Sequence, residues 1–189
     1  MPRLFTAIDL PPADADRLAV FCESLDPPFD ARWTPRGNFH ITVRFIGDVD
    51  DERMPAIKEA LAAIEAPPVP IRPTGLGVLP SRRHPRVLTV RIDRTDALDT
   101  LYEGVQDALA SVGVDRERRS YKPHVTLARM DDPAPRAVHS FHSSIDQDEL
   151  PLSNFVADRL LLYESTLTPE GAQHEIRSEF MLNPTSTRN

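Results

Sequence analysis

His40-Ile41-Thr42-Val43 and His124-Val125-Thr126-Leu127 set an imidazole and a hydroxyl two residues apart, twice in one chain. In an extended strand alternate side chains share a face, so His40 and Thr42 project one way while Ile41 and Val43 project the other. The same holds for His124 and Thr126 against Val125 and Leu127. Two such strands side by side bury their aliphatic faces and offer two imidazoles and two hydroxyls to one cleft. That set suits acid–base chemistry on a phosphate. One imidazole takes a proton from an attacking water, the other delivers a proton to the departing oxygen, and the hydroxyls hold the oxygens that gain charge. A single His-x-Thr is expected by chance about 0.4 times in a chain of this composition. Two copies with matching aliphatics are expected in well under about one per cent of such chains.

The elements that must position these residues are legible from periodicity and from turn residues. Leu4 to Leu10 reads as a strand ended by Pro11-Pro12, and Ala13 to Leu25 as a helix ended by Pro27-Pro28. Trp33 to Asn38 is a turn-rich approach to a strand from Phe39 to Ile46. Met54 to Ile64 has helical spacing. Ile71 to Leu79, with two glycines and a proline, is an edge strand, Ser81 to Arg86 a basic loop, and Val87 to Ile92 a strand. Thr95 is placed to cap a helix whose apolar stripe runs from Leu98 to Val112, with Gly113 as its C-terminal stop. The second histidine strand spans His124 to Arg129. Residues 131–151 hold loop and a short helix, and Asn154 to Tyr163 and His174 to Leu182 form a final strand pair around Pro169-Glu170-Gly171. The order is that of an α+β protein. The two histidine segments fall in similar settings, which predicts an internal duplication: a bilobal fold, each lobe a mainly antiparallel sheet with outer helices, related by a pseudo-twofold axis around a central cleft. Residues 1–189 are expected to form one such bilobal domain, with 183–189 a frayed tail.

Composition narrows the function. The chain has 40% hydrophobic and 27% charged residues, ordinary for a globular protein. No run of about 18 apolar residues exists, so no transmembrane helix is expected. The opening Met1-Pro2-Arg3-Leu4-Phe5 has no apolar leader core. Cys22 stands alone, which excludes an internal disulfide and a cysteine metal site. A cytoplasmic location is the default expectation. A net charge of −7 argues against a protein that coats long nucleic acid, although not against one that grips a single terminal phosphate. Lys58 and Lys122 are the only lysines, so arginine carries almost all positive charge.

The chain resembles the 2H phosphoesterase superfamily, and within it the RNA 2′,3′-cyclic phosphodiesterase branch, also called 2′-5′ RNA ligase. Arg3 to Pro11 resembles the family's opening strand. Trp33 and Asn38 to Val49 (NFHITVRFIGDV) resemble the first motif, Leu79 to Val90 the middle strand pair, Tyr121 to Arg129 (YKPHVTLAR) the second motif, and Leu161 to Gly171 (LLYESTLTPEG) the closing segment. Val43 and Ile46 stand where leucine is commoner. The resemblance implies hydrolysis of a 2′,3′-cyclic phosphate at an RNA 3′ end to a 2′-phosphomonoester, with no cofactor or metal. It makes His40 the general acid to the 3′-oxygen and His124 the general base to water, with Thr42 and Thr126 on the phosphate. The implied partners are RNA 3′ ends bearing a cyclic phosphate, or small cyclic nucleotides, bound by a monomer. Reverse 2′-5′ joining is the same chemistry run backwards. A module that binds RNA ends without turnover is the competing reading from the same cleft. A binuclear metal site using Asp9 or Asp48 matches no metal-ligand spacing.

Further candidates follow from position. Arg44, four past His40, shares the His40 face by strand parity. Arg129, five past His124, does not share the His124 face unless the strand ends first. Either is a candidate phosphate contact against the plain alternative of a solvated strand-end charge. Tyr121 and Trp33 are candidates to stack on a nucleobase. Arg82, Arg83, His84 and Arg86 form a basic loop that RNA backbone could meet. His139 and His142 lack carboxylates around them for a metal site, and His174 reads as a strand-end surface residue.

Overall fold

The computed structural model describes residues 2–145, 150–169 and 171–183. Its frame is one eight-stranded sheet in the order β10-β9-β1-β3-β7-β6-β5, with β2 added alongside β7. The strands are β1 (Arg3–Asp9), β2 (Ala31–Trp33), β3 (His40–Asp48), β5 (Pro73–Ser81), β6 (His84–Ile92), β7 (His124–Met130), β9 (Arg159–Thr168) and β10 (Gly171–Met181). All pairings are antiparallel. A separate two-stranded ribbon joins β4 (Val69–Ile71) to β8 (Phe155–Ala157). The four helices are α1 (Pro12–Ser24), α2 (Met54–Ala62), α3 (Asp96–Ser111) and α4 (Pro135–Ser144).

The fold is α+β with two lobes meeting in the middle of the sheet, as the duplicated motif predicts. One lobe is β10-β9-β1-β3 and the other β7-β6-β5 with β2. Neither is a continuous stretch of chain. Strands β5 and β6 lie beside β7, whereas β9 and β10, from the C-terminal quarter, return to complete the lobe that holds β1 and β3. The lobes join through a single registered pair, Ile41 opposite Val125.

Both residues of that pair are fully buried. They belong to a core that lies on one face of the sheet and is continuous across both lobes. Leu4 and Ile8 of β1, Leu88 and Val90 of β6, Ile57 and Leu61 of α2, and Leu98, Leu101 and Val105 of α3 are all part of it. The opposite face carries a smaller apolar cluster, Phe5, Ala7, Leu161 and Tyr163. That second face is the one to which the histidines belong.

Local signals hold where a side chain makes the boundary. The Thr95 hydroxyl accepts from the Leu98 amide at 3.2 Å and starts α3. Gly113, with φ of +78°, ends it in the left-handed region that glycine enters without strain. The supposed basic loop 81–86 is mostly strand: β5 and β6 close on each other through Ser81 opposite His84. The approach to the first motif contains β2, pairing with β7. Glu170 and residues 184–189, expected as turn and frayed tail, lie outside the described residues. No helix among the described residues is long and apolar enough to cross a membrane.

The joint carries a stability expectation. Ile41→Ala removes a fully buried side chain at the seam of the lobes and should cost about 2–5 kcal/mol. In urea the variant should unfold at lower midpoint in one transition seen alike by fluorescence and circular dichroism. Two separated transitions would show that the lobes do not share one core.

Candidate active site

Counting one residue outward from the Ile41–Val125 pair sets His40 opposite Thr126 and Thr42 opposite His124. Side chains directly opposite each other on antiparallel strands share a face. The four residues of the duplicated motif therefore come together around the pseudo-twofold axis, pointing away from the main core. The proximity is electrostatically visible, because a proton on His124 disfavours a proton on His40.

Each imidazole is held the same way. His40 Nδ1 lies 2.7 Å from the Asn38 carbonyl, and His124 Nδ1 lies 2.6 Å from the Lys122 carbonyl. A carbonyl only accepts, so each Nδ1 carries the proton and donates it. This leaves Nε2 of both rings for chemistry. In the neutral His40 ring, Nε2 accepts from the Thr42 hydroxyl at 3.0 Å. The backbone carbonyl two residues upstream thus sets the tautomer in both copies, which is a consequence of the strand entering at the histidine itself.

Strand parity misplaces both arginines, and for one reason. In β3 the register with β1 slips so that Thr42 faces Ala7 but Arg44 faces Thr6, leaving Val43 as an extra residue. In β7 the register with β6 slips so that Thr126 faces Thr89 but Ala128 faces Leu88, leaving Leu127 as an extra residue. Each β-bulge falls three residues after the histidine and reverses the alternation beyond it. Arg44 is therefore turned to the core side, where its Nε donates to Gln106 Oε1 at 2.8 Å. Arg129 is brought to the histidine face, where its charge disfavours protons on both His40 and His124. Phe45, the counterpart of Arg129 at the fifth place after His40, also reaches this face. It is 58% exposed and lies 5.8 Å from the Phe5 ring. The sequence reading passed over it.

Tyr121 and Trp33, the candidates for base stacking, are both engaged within the protein. Tyr121 is stacked on Tyr102 at 4.2 Å, and its hydroxyl donates to the Thr42 carbonyl at 3.2 Å. Burial pushes its phenol well above the usual range. Gln106 donates to the Tyr102 hydroxyl at 2.7 Å. Arg44, Gln106, Tyr102 and Tyr121 thus form a brace behind β3 that begins and ends on that strand. Trp33 pairs with Ala128, a buried residue on the core side of the bulge, and packs against the core. Arg86 pairs with Asp132 at 3.0 Å, away from the histidines. His142 Nε2 lies 3.1 Å from the Leu76 carbonyl. Of the acids once considered for metal, Asp9 accepts from the Tyr163 hydroxyl at 2.7 Å and Asp48 pairs with Arg3 at 3.5 Å.

His174 is the residue most misjudged from sequence. It sits within β10, and its ring meets His40 edge-on at 5.4 Å and Phe5 at 5.0 Å. Its Nδ1 is enclosed without an aligned hydrogen-bond partner, although the Gln173 carbonyl is near enough to favour a proton there. His40 is thereby walled by Phe5, Tyr163 and His174. The residue as a whole is half-buried. That burial drives its pKa down to about 4, assisted by His174, His124 and Arg129 and opposed by the Asn38 carbonyl. His124 is lowered too, first by burial and then by Arg129, with the Lys122 carbonyl opposing.

The comparisons with known proteins bear on family and fold. Residues 8–89 and again residues 90–172 match the LigT-like phosphoesterase profile. The chain belongs to the LigT-like (2H) phosphoesterases. The two matches divide between the two histidine motifs, one in each. The RNA 2′,3′-cyclic phosphodiesterase of Methanocaldococcus jannaschii is 29% identical over 180 residues, covering 94% of this chain and 99% of that protein. The RNA 2′,3′-cyclic phosphodiesterase of Thermotoga maritima is 28% identical, covering 94% of each chain. The apo crystal structure of LigT from E. coli superposes with a TM-score of 0.76 at 22% identity, covering 96% of this chain and 98% of that one, and shares the fold.

Two outcomes test the site as described. By NMR, both histidines should titrate below 6.5, His40 near 4. A histidine depressed on folding binds its proton first in the unfolded chain, so its contribution to stability is lost as pH falls from 6.5 toward 4, about 3 kcal/mol for His40. Because Tyr121 is a brace, Tyr121→Ala should lower stability by about 3–5 kcal/mol and Tyr121→Phe by about 1 kcal/mol. Tyr121→Phe should leave nucleotide affinity intact in titration calorimetry.

Proposed function

We propose that this protein hydrolyses 2′,3′-cyclic phosphate ends of RNA to 2′-phosphomonoesters by metal-independent acid–base catalysis between His40 and His124. The observation that carries the reading is the antiparallel meeting of the two motifs at Ile41 and Val125, which brings two Nε2-presenting imidazoles and two hydroxyls to one place. The names of the curated relatives support the substrate.

In this mechanism His124 Nε2 takes a proton from water as the water oxygen bonds to phosphorus. His40 Nε2 gives a proton to the 3′-oxygen as its bond to phosphorus breaks, and the phosphate stays on the 2′-oxygen. Thr42 and Thr126 donate to the non-bridging oxygens, whose charge grows in the five-coordinate transition state. Arg129 adds a fixed positive charge on the same face. Phe45, exposed beside the site, offers a stacking surface to the terminal base. The resting pocket disfavours a proton on His40, so the anionic phosphate must draw that proton on as it binds. The same groups run in reverse would join ends through a 2′-5′ bond, and water at high concentration favours hydrolysis.

The test is product analysis on an oligonucleotide ending in a 2′,3′-cyclic phosphate, in excess EDTA. Wild type should give the 2′-phosphate. His40→Ala and His124→Ala should each lose at least about 10²–10⁴-fold, and Thr42→Ala or Thr126→Ala about 1–3 kcal/mol of transition-state binding. A 3′-phosphate product would exchange the departing oxygen, activity in both histidine variants would end the proposal, and tight binding with no product would mark a binding module instead. With both imidazoles depressed, kcat/KM should follow a bell peaking on the acid side of pH 6.5. Bound phosphate favours the protonated rings, so the kcat limbs should lie at higher pH.

A further inference from the structure

The two halves of the site are alike in their motifs and unlike in their walls. Around His40 the neighbours are aromatic. Around His124 they are aliphatic and cationic: Val78, Leu79, Ile92 and Pro123 with Arg91 and Lys122. Beside His124, between β5, β6 and the approach to β7, lies a cavity of about 200 Å³ whose walls include Val78, Leu79, Thr89, Arg91 and Lys122. Arg91 faces His124 across the β6–β7 pair, and Thr89 faces Thr126, so both stand on the catalytic face.

Two features of Arg91 combine. First, among the described residues its guanidinium and the Lys122 ammonium have neither an ion pair nor a side-chain hydrogen bond, a state Arg91 shares with Arg72, Arg82, Arg83, Arg118, Arg129 and Arg136. Ten other arginines pair with carboxylates, in a chain whose net charge of −7 makes carboxylates abundant. Second, the sheet is cut away to admit Arg91. A Cβ on Gly77 would come within 2.6 Å of Arg91 Cγ and 2.9 Å of Cδ, so the side chain lies along space that only glycine leaves open. Of the cations near His124, Arg129 is the one whose charge depresses both imidazoles. Arg91 and Lys122 do not add to that effect.

Resting on the function proposed above, we infer that Arg91 and Lys122 form a second phosphate subsite, which takes the backbone phosphodiester one nucleotide before the cyclic end. The enzyme is then built for an RNA strand rather than for a free cyclic nucleotide. The terminal base lies toward Phe45 and the aromatic half, and the strand leaves over the Gly77–Arg91 side. A mononucleotide has no phosphate to place there.

The experiment compares kcat/KM on a trinucleotide ending in a 2′,3′-cyclic phosphate with kcat/KM on 2′,3′-cyclic AMP. The trinucleotide-to-mononucleotide ratio should fall about tenfold in Arg91→Ala and further in Arg91→Glu. The log–log salt dependence for the trinucleotide should lose about 0.7 in slope, the value for one phosphate contact on a single strand. Gly77→Ala, which displaces Arg91 without removing its charge, should lower the same ratio. An unchanged ratio in the Arg91 variants, or an equal loss on both substrates, would overturn the subsite. If wild type turned over neither substrate, the functional proposal would fail by itself. Calorimetric binding of a 2′-phosphate-ended trinucleotide against 2′-AMP would then decide this one: an affinity gap that Arg91→Ala closes supports the subsite, and equal affinities overturn it.

Discussion

The site exists because two strands from distant parts of the chain meet antiparallel at one buried pair. Ile41 and Val125 contribute nothing to chemistry, yet their burial fixes which residues lie opposite one another. A slip of one residue in either strand would turn that strand's histidine toward the hydrophobic core. The same pairing makes the tautomers equivalent, since each ring is met by the carbonyl two residues before it. Behind β3, the brace ties the strand to α3 twice: Arg44 bonds Gln106, and the Thr42 carbonyl accepts from Tyr121, whose ring stacks on Tyr102. The first motif is therefore fixed from the core side, leaving its other side to the substrate.

Symmetry alone would make two interchangeable imidazoles, which is a poor arrangement for a reaction needing one acid and one base. Their surroundings separate them. His40 is enclosed by Phe5, Tyr163 and His174, and His124 borders a largely aliphatic cavity at whose walls stand two unpaired cations, Arg91 and Lys122. Burial holds the His40 pKa at about 4 in the free protein, so the surroundings alone do not make it the acid; the proposed role depends on bound phosphate drawing a proton on. Five residues further along each of the two strands the division repeats: Phe45 and Arg129 are equivalent in place and opposite in character.

Much of this was legible from residue order, and the part that was not has a common physical origin. The histidines and threonines announce themselves because alternation needs only three residues to state. The cap at Thr95 and the stop at Gly113 are local too. Arg44 and Arg129 were each assigned to the wrong face because a bulge follows Val43 and Leu127 in turn. A bulge of this kind has no obligatory residue and is set by the partner strand. Phe45 was hidden by the same event. Tyr121 looked like a substrate contact because it stands next to the motif, but Tyr102, which occupies its ring face, is 19 positions away on a helix. His174 needed knowledge that β10 returns to the first lobe, a matter of topology that no local pattern carries.

That return ties both ends of the chain to one proton affinity. Of the wall that dries His40, Phe5 comes from β1, while Tyr163 and His174 come from β9 and β10. A chain without its last two strands would keep the imidazole, its neighbouring threonine and its carbonyl, yet lose two of three walls, leaving the ring wetter and easier to protonate.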